Sequence, residues 1–128
     1  MTAALALFLL LASPERPGYF GFALTLHSDS TTQWMFVHDV TAGSPAARAG
    51  LAKNDVIVAI DGRPLHFRDD ADFLDFIART RPGDRLRLSV IHDNRPRTVV
   101  VTAVAMSDEV YEIWKINLEM VKRRRARG

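Results

Sequence analysis

Along the middle of the chain, hydrophobic and polar positions follow a two-residue period in some blocks and a helical one in others. Phe22, Leu24 and Leu26 alternate with Ala23, Thr25 and His27, which predicts a strand over residues 20–27. Residues 33–40 predict a second strand, with Trp34, Phe36 and His38 on one side and Met35 and Val37 on the other. The apolar run 56–60 reads as a strand buried on both faces, and Asp61-Gly62 closes it with a turn signal. Over residues 85–92 charged and apolar positions alternate and put Leu86, Leu88 and Val90 on one face. Asp93-Asn94 then marks a hairpin turn, and residues 98–104 supply the last strand.

Helical spacing appears three times. Ser44 is an N-cap whose side chain accepts from an orphan N–H, Pro45 suits the first helical position, and Gly50 ends the segment at a positive φ. A second helix starts at 68 or 69 and runs to about 79. Asp69, Asp70 and Asp72 favour its positive end, Phe73, Leu74, Phe76 and Ile77 form its apolar side, and Pro82-Gly83 stops it. A third helix covers residues 110–121, with Val110, Ile113, Trp114, Leu118 and Val121 as its apolar stripe, and then dissolves into a basic tail.

The two ends differ from the body. Residues 3–12 are apolar and helix-favouring, but ten helical residues reach only about 15 Å, half of a ~30 Å hydrocarbon core. The first 13 residues therefore read as an export signal or crude anchor, or as a helix packed on the domain or a partner. The breaker-rich stretch 13–18 separates them from a domain beginning near Gly18. The net charge of +2 includes five positive charges from Lys122, Arg123, Arg124, Arg125 and Arg127, so the remainder carries about −3. A mildly acidic body offers no sign of a nucleic-acid surface and no nucleic-acid partner is expected, while the tail suits anionic lipid headgroups or the negative end of its own helix. Localisation stays open between compartments, with a membrane-associated or exported placement favoured over a cytoplasmic one.

With 128 residues, 48% hydrophobic and 25% charged, the chain suits one globular domain with short extensions. The absence of cysteine removes disulfides and thiolate chemistry. No nucleophile-elbow, zinc-helix or P-loop pattern is present, so no catalytic residues are assigned. His27, His38, His66 and His92 occur singly and read as surface or hydrogen-bonded strand residues. Asp69, Asp70, Asp72 and Asp75 read as a solvated helix face, and no metal or cofactor is expected.

The order strand, strand, short helix, strand, long helix, strand, strand resembles a PDZ domain of the bacterial HtrA/DegP-like type over residues 18–104. The motifs that carry the resemblance are Tyr19-Phe20-Gly21-Phe22 and the stretch from Gly43 to Gly62. The resemblance implies an α+β, mainly β fold: a partly open antiparallel barrel or sandwich of five to six strands capped by two helices. The segment 107–128 is added as an amphipathic C-terminal helix with a basic tail.

It also implies that the N–H groups of Phe20, Gly21 and Phe22 curve around the terminal carboxylate of a peptide as a nest. Arg16 would add distant positive charge to that site. The peptide would add as a strand beside Tyr19, Ala23, Leu24, Thr25 and Leu26, with the long helix as the opposite wall. There Asp70 stands at the selectivity position and Leu74 and Ile77 follow, so that Phe20, Phe22, Leu24 and Leu74 make a pocket for the last side chain.

The reading is thus a peptide-binding module without catalysis of its own, a free-standing adaptor or regulator whose partners are protein or peptide C-termini. The alternatives are a structural or assembly module whose groove is filled by its own C-terminal helix or a partner, and an orphan fragment of a membrane or periplasmic protease.

Overall fold

The computed structural model describes residues 15–127. The apolar segment expected over residues 1–13 lies outside them. The elements in chain order are β1 (Gly18–Tyr19), β2 (Phe22–Ser28), β3 (Gln33–Val40), α1 (Pro45–Ala49), β4 (Val56–Ile60), β5 (Arg63–Pro64), α2 (Asp70–Ala78), β6 (Arg85–His92), β7 (Arg95–Thr102), β8 (Val104–Ala105) and α3 (Asp108–Arg127).

Strands β2-β3-β4-β6-β7 lie side by side in that order, β5 pairs with β4, and β1 pairs separately with β8. Every pairing is antiparallel. The alternation read from sequence sets the register. Met35 and Val37 of β3, and Leu86, Leu88 and Val90 of β6, point inward and are almost fully buried with Ile57, Val99 and Val101. The Asp93-Asn94 turn has φ of 50° and 63°, the double left-handed geometry of a two-residue hairpin. That turn starts β7 at Arg95, earlier than the expected 98. Pro96 is tolerated there because β7 is an edge strand and need not donate on both sides.

The caps of the short helix form as expected. Ser44 Oγ accepts from the Ala47 N–H at 3.2 Å, Pro45 opens the helix, and Gly50 closes it at φ 93°. Asp69 caps α2 in the same way, accepting from the Asp72 N–H. Two further features depart from expectation. The β1–β8 pair, two residues long on each side, is too short to show any periodicity. Helix α3 does not dissolve at Val121 but continues to Arg127. Lysine and arginine are good helix formers, and Lys122 and Arg125 find carboxylate partners on α2.

A buried polar knot fixes the far end of the sheet. Asp55 is fully buried and accepts from the Ala52 N–H at 2.9 Å, from Arg97 Nη2 at 2.9 Å and from His92 Nδ1 at 2.6 Å. His92 is therefore a hydrogen-bonded strand residue. A second buried group, the Thr80 hydroxyl, donates to the Ile77 carbonyl at 2.6 Å and accepts from the Gly18 N–H at 3.1 Å. It ties the end of α2 to β1 and so sets the helix against the loop that follows.

Candidate peptide groove

The loop between β1 and β2 turns on Gly21. Its φ of 87° is a conformation that a side chain disfavours, and an added Cβ would sit 2.2 Å from Ser44 Cβ. Glycine is required here twice over, by torsion and by the close approach of α1. The carbonyl of Phe20 accepts from the Ala46 N–H at 2.9 Å and that of Gly21 from the Thr41 N–H at 2.8 Å. The carbonyls are thereby turned toward the protein. The N–H groups of Phe20 and Gly21 donate to nothing among the described residues. A loop with its acceptors used and its donors free can receive an anion.

Beside this loop lies a cavity of about 480 Å³, within the range typical of ligand sites. Tyr19, Phe20, Gly21, Phe22, Ala23 and Leu24 line one side, and Asp70, Leu74 and Ile77 line the other. The Phe20 and Phe22 rings stack at 5.5 Å. The outer edge of β2 is paired with no strand among the described residues. Thr25 and Leu26 stand further along β2, outside the cavity lining. Thr25 Oγ1 is hydrogen-bonded to His38 Nε2, and Leu26 packs against the core. Asp39 of β3 and Phe73 of α2 join the lining. Nothing in the sequence singles out Asp39; the pairing of Ala23 with Asp39 brings it to the groove.

Arg16 does not serve the loop. Its guanidinium pairs with Asp108 at 2.7 Å, donates to the Met106 carbonyl and lies 4.7 Å from the Tyr111 ring centroid. The β1–β8 pairing sets Gly18 and Tyr19 beside Ala105 and Val104, which brings Arg16 to the start of α3. The charged residues lining the cavity are Asp39 and Asp70, with no lysine or arginine among them.

Helix α3 completes the cavity. Val110, Ile113, Trp114, Asn117 and Val121 face it from above. Val110, Trp114 and Val121 are half-buried, yet no residue of α3 is fully buried. The Trp114 Nε1–H is buried without a partner, a penalty of about 1–3 kcal/mol.

The acidic face of α2, expected to be solvated, instead receives cations. Arg125 donates to Asp69 Oδ2 at 2.7 Å and to Asp72 Oδ1 at 3.0 Å, and Lys122 Nζ is 3.8 Å from Asp75. Hydrogen bonding from Arg125 lowers the Asp69 pKa, and that from Arg68, ahead of Arg125, holds Asp72 well below the usual carboxylate range. The bond to Asp69 raises Arg125 in turn. Among the described residues no cluster of histidine and carboxylate groups has the arrangement of a metal site.

The sequence profile of the PDZ domain matches residues 18–103. Among curated proteins, the periplasmic pH-dependent serine endoprotease DegQ of Escherichia coli (strain K12) is 36% identical over 67 residues, covering 52% of this chain and 14% of that protein. The serine endoprotease DegS of the same strain is 33% identical over 70 residues, covering 55% of this chain and 19% of that protein. The chain thus spans less than a fifth of either protease. Among solved structures, the HtrA-type protease AlgW with tripeptide superposes with a TM-score of 0.59 at 23% identity, covering 81% of this chain and 38% of that one. The HtrA3 PDZ domain bound to a phage-derived ligand (FGRWV) does so at 0.55 and 22%, covering 67% and 84%. Both share the fold. Loop, groove walls, strand order and profile agree, and the chain belongs to the PDZ domain family, with relatives among bacterial HtrA-type proteases.

Proposed function

We propose that the chain binds extended peptides, above all hydrophobic C-termini, by strand addition along β2. The peptide backbone takes the free edge of β2 beside Ala23, Leu24, Thr25 and Leu26. Its terminal carboxylate sits on the N–H groups of Phe20, Gly21 and Phe22, next to Tyr19. Its last side chain enters the apolar pocket of Phe20, Phe22, Leu24, Leu74 and Ile77. Asp70 disfavours an acidic residue two before the end and favours a donor there. Affinity is on the order of micromolar, about −8 kcal/mol. The observation that carries this reading is the pair of unused N–H groups at Phe20 and Gly21, held at the mouth of an apolar cavity beside an unpaired strand edge. The peptide ligands named for the AlgW and HtrA3 structures support it.

In this role the chain acts as an adaptor or regulator without catalysis of its own. An exported setting agrees with the periplasmic designation of DegQ. No helix among the described residues is long and apolar enough to cross a membrane. Of the five tail cations, Lys122 and Arg125 engage α2, which leaves Arg123, Arg124 and Arg127 for anionic lipid headgroups at about 1 kcal/mol each.

The test is fluorescence anisotropy with labelled Phe-Gly-Arg-Trp-Val, first as the free acid and then as the amide. Binding that is lost on amidation supports the carboxylate nest; equal binding of both removes it. A folded Leu24→Asp variant that binds like the parent removes the groove assignment. A second reading, in which the chain's own C-terminal helix blocks the groove, is favoured by one observation: α3 supplies a wall of the same cavity.

A further inference from the structure

Helix α3 is held at its two ends by different means. Near its start, Met106 is buried, Arg16 grips Asp108 and the Met106 carbonyl, and the Ser107 hydroxyl accepts from the Val110 N–H at 3.2 Å. Near its end, about 25 Å away along the axis, half-buried Val121 is joined by ion pairs from Arg125 to Asp69 and Asp72 and from Lys122 to Asp75. Those far-end side chains are all partly exposed to solvent.

Between the two ends, the packing is thin. The inner stripe is only half-buried, the Trp114 indole N–H has no partner, and Ile113, Ile116 and Met120 are more than half exposed. A helix that buries no residue completely and strands a donor is weakly seated. Ion pairs at its free end therefore weigh heavily in the balance.

We propose that α3 is a hinged roof over the peptide groove, anchored at Met106–Asp108 and latched shut by Arg125 and Lys122 on the acidic flank of α2. The roof does not fill the groove, since about 480 Å³ stays open beneath it. It narrows the approach to the β2 edge, and a peptide enters when the latch releases. The latch faces solvent and is screened by salt, with the Debye length falling from about 10 Å at 0.1 M to about 3 Å at 1 M. Ionic strength thus opens the groove. This inference rests on the peptide-binding reading for its ligand, but the movement of the helix is measured without one.

The experiment uses the full chain carrying Trp34→Phe, so that Trp114 is the sole indole, with and without Arg125→Ser plus Lys122→Ser. Emission of Trp114 is followed from 50 to 500 mM NaCl, and labelled Phe-Gly-Arg-Trp-Val is titrated at both salts. The roof predicts a red shift with salt in the parent and an emission already red-shifted at 50 mM in the variant. It also predicts probe affinity about fivefold tighter in the variant at low salt, with the ratio approaching one at 500 mM. The emission readout is taken without probe, so the probe's own charge does not enter it; an affinity gain without an emission difference between the chains would be charge attraction alone and would overturn the roof. Identical emission and affinity in both folded chains at 50 mM would overturn the proposal. Emission that shifts while neither chain binds the probe keeps the moving helix and removes the peptide-binding reading.

Discussion

Gly21→Ala tests the link from torsion to site. At φ 87° an alanine costs about 1–2 kcal/mol more than glycine. Its Cβ would also stand 2.2 Å from Ser44 Cβ and 2.4 Å from Ser44 Oγ, on a residue buried at the first turn of α1. Neither neighbour is the loose end of a flexible side chain, so the loop or the helix must shift, at about 1–3 kcal/mol for overpacking. The expected loss is about 2–5 kcal/mol. Urea denaturation followed by circular dichroism measures it, with the m-value unchanged between variants.

Adding Ser44→Gly separates the two contributions. It removes both clashing atoms and weakens the helix cap by only a few tenths of a kcal/mol. The double variant should therefore be more stable than Gly21→Ala alone by about 1–2 kcal/mol, leaving the torsional part. Two results would refute the reasoning: a Gly21→Ala loss below about 0.5 kcal/mol, as at an ordinary surface site, or a double variant whose loss equals the sum of the singles.

Asp55→Ala should destabilise by about 2–3 kcal/mol, below the full figure for a broken buried pair because His92 and Arg97 reach water once released; chemical denaturation checks it. Thr80→Val removes the hydroxyl bridging Ile77 and Gly18 and should cost about 1–3 kcal/mol, with faster amide exchange at Gly18 as a local readout. Acid should release α3 late. Asp69 and Asp72 face Arg125, Arg68 pairs with Asp72, Asp70 and Arg124 lie beside Asp69, Lys122 pairs with Asp75 one turn on, and both carboxyls titrate below their ordinary value near 3.8. A depressed folded pKa stabilises the docked helix above the unfolded pKa, and the contribution is lost as pH falls through the folded one. Trp114 emission in Trp34→Phe should hold from pH 7 to about 4 and shift only below it; a shift complete by pH 5 would contradict this.

Most of the strands and helices α1 and α2 are legible along the chain because their causes are local. Period-two alternation places Met35, Val37, Leu86, Leu88 and Val90 inside whatever lies across from them. The caps Ser44 and Gly50 satisfy orphan backbone groups within a few residues of themselves, and Asp93-Asn94 sets its hairpin by its own torsions; Asp69 is legible only as a favourable charge at the start of α2, where it proves to be the cap. Gly21 is visible as a motif, but the reason it must be glycine is Ser44, 23 positions away.

What only the tertiary structure decided arises from residues far apart in sequence. The two-residue pair β1–β8 has no period to read, and once formed it carries Arg16 to Asp108 rather than to the carboxylate loop. Asp55, His92 and Arg97 meet only because β4, β6 and β7 are neighbours in the sheet. The stripe on α3 announces that the helix docks, but amphipathicity gives no address. The place is chosen by complementarity between Val110, Trp114 and Val121 and the open groove, and between Arg125 and Lys122 and the carboxylates of α2. Hydrophobic burial is non-directional, so a stripe specifies that it must be covered, while the partner surface is assembled only when the whole chain has folded.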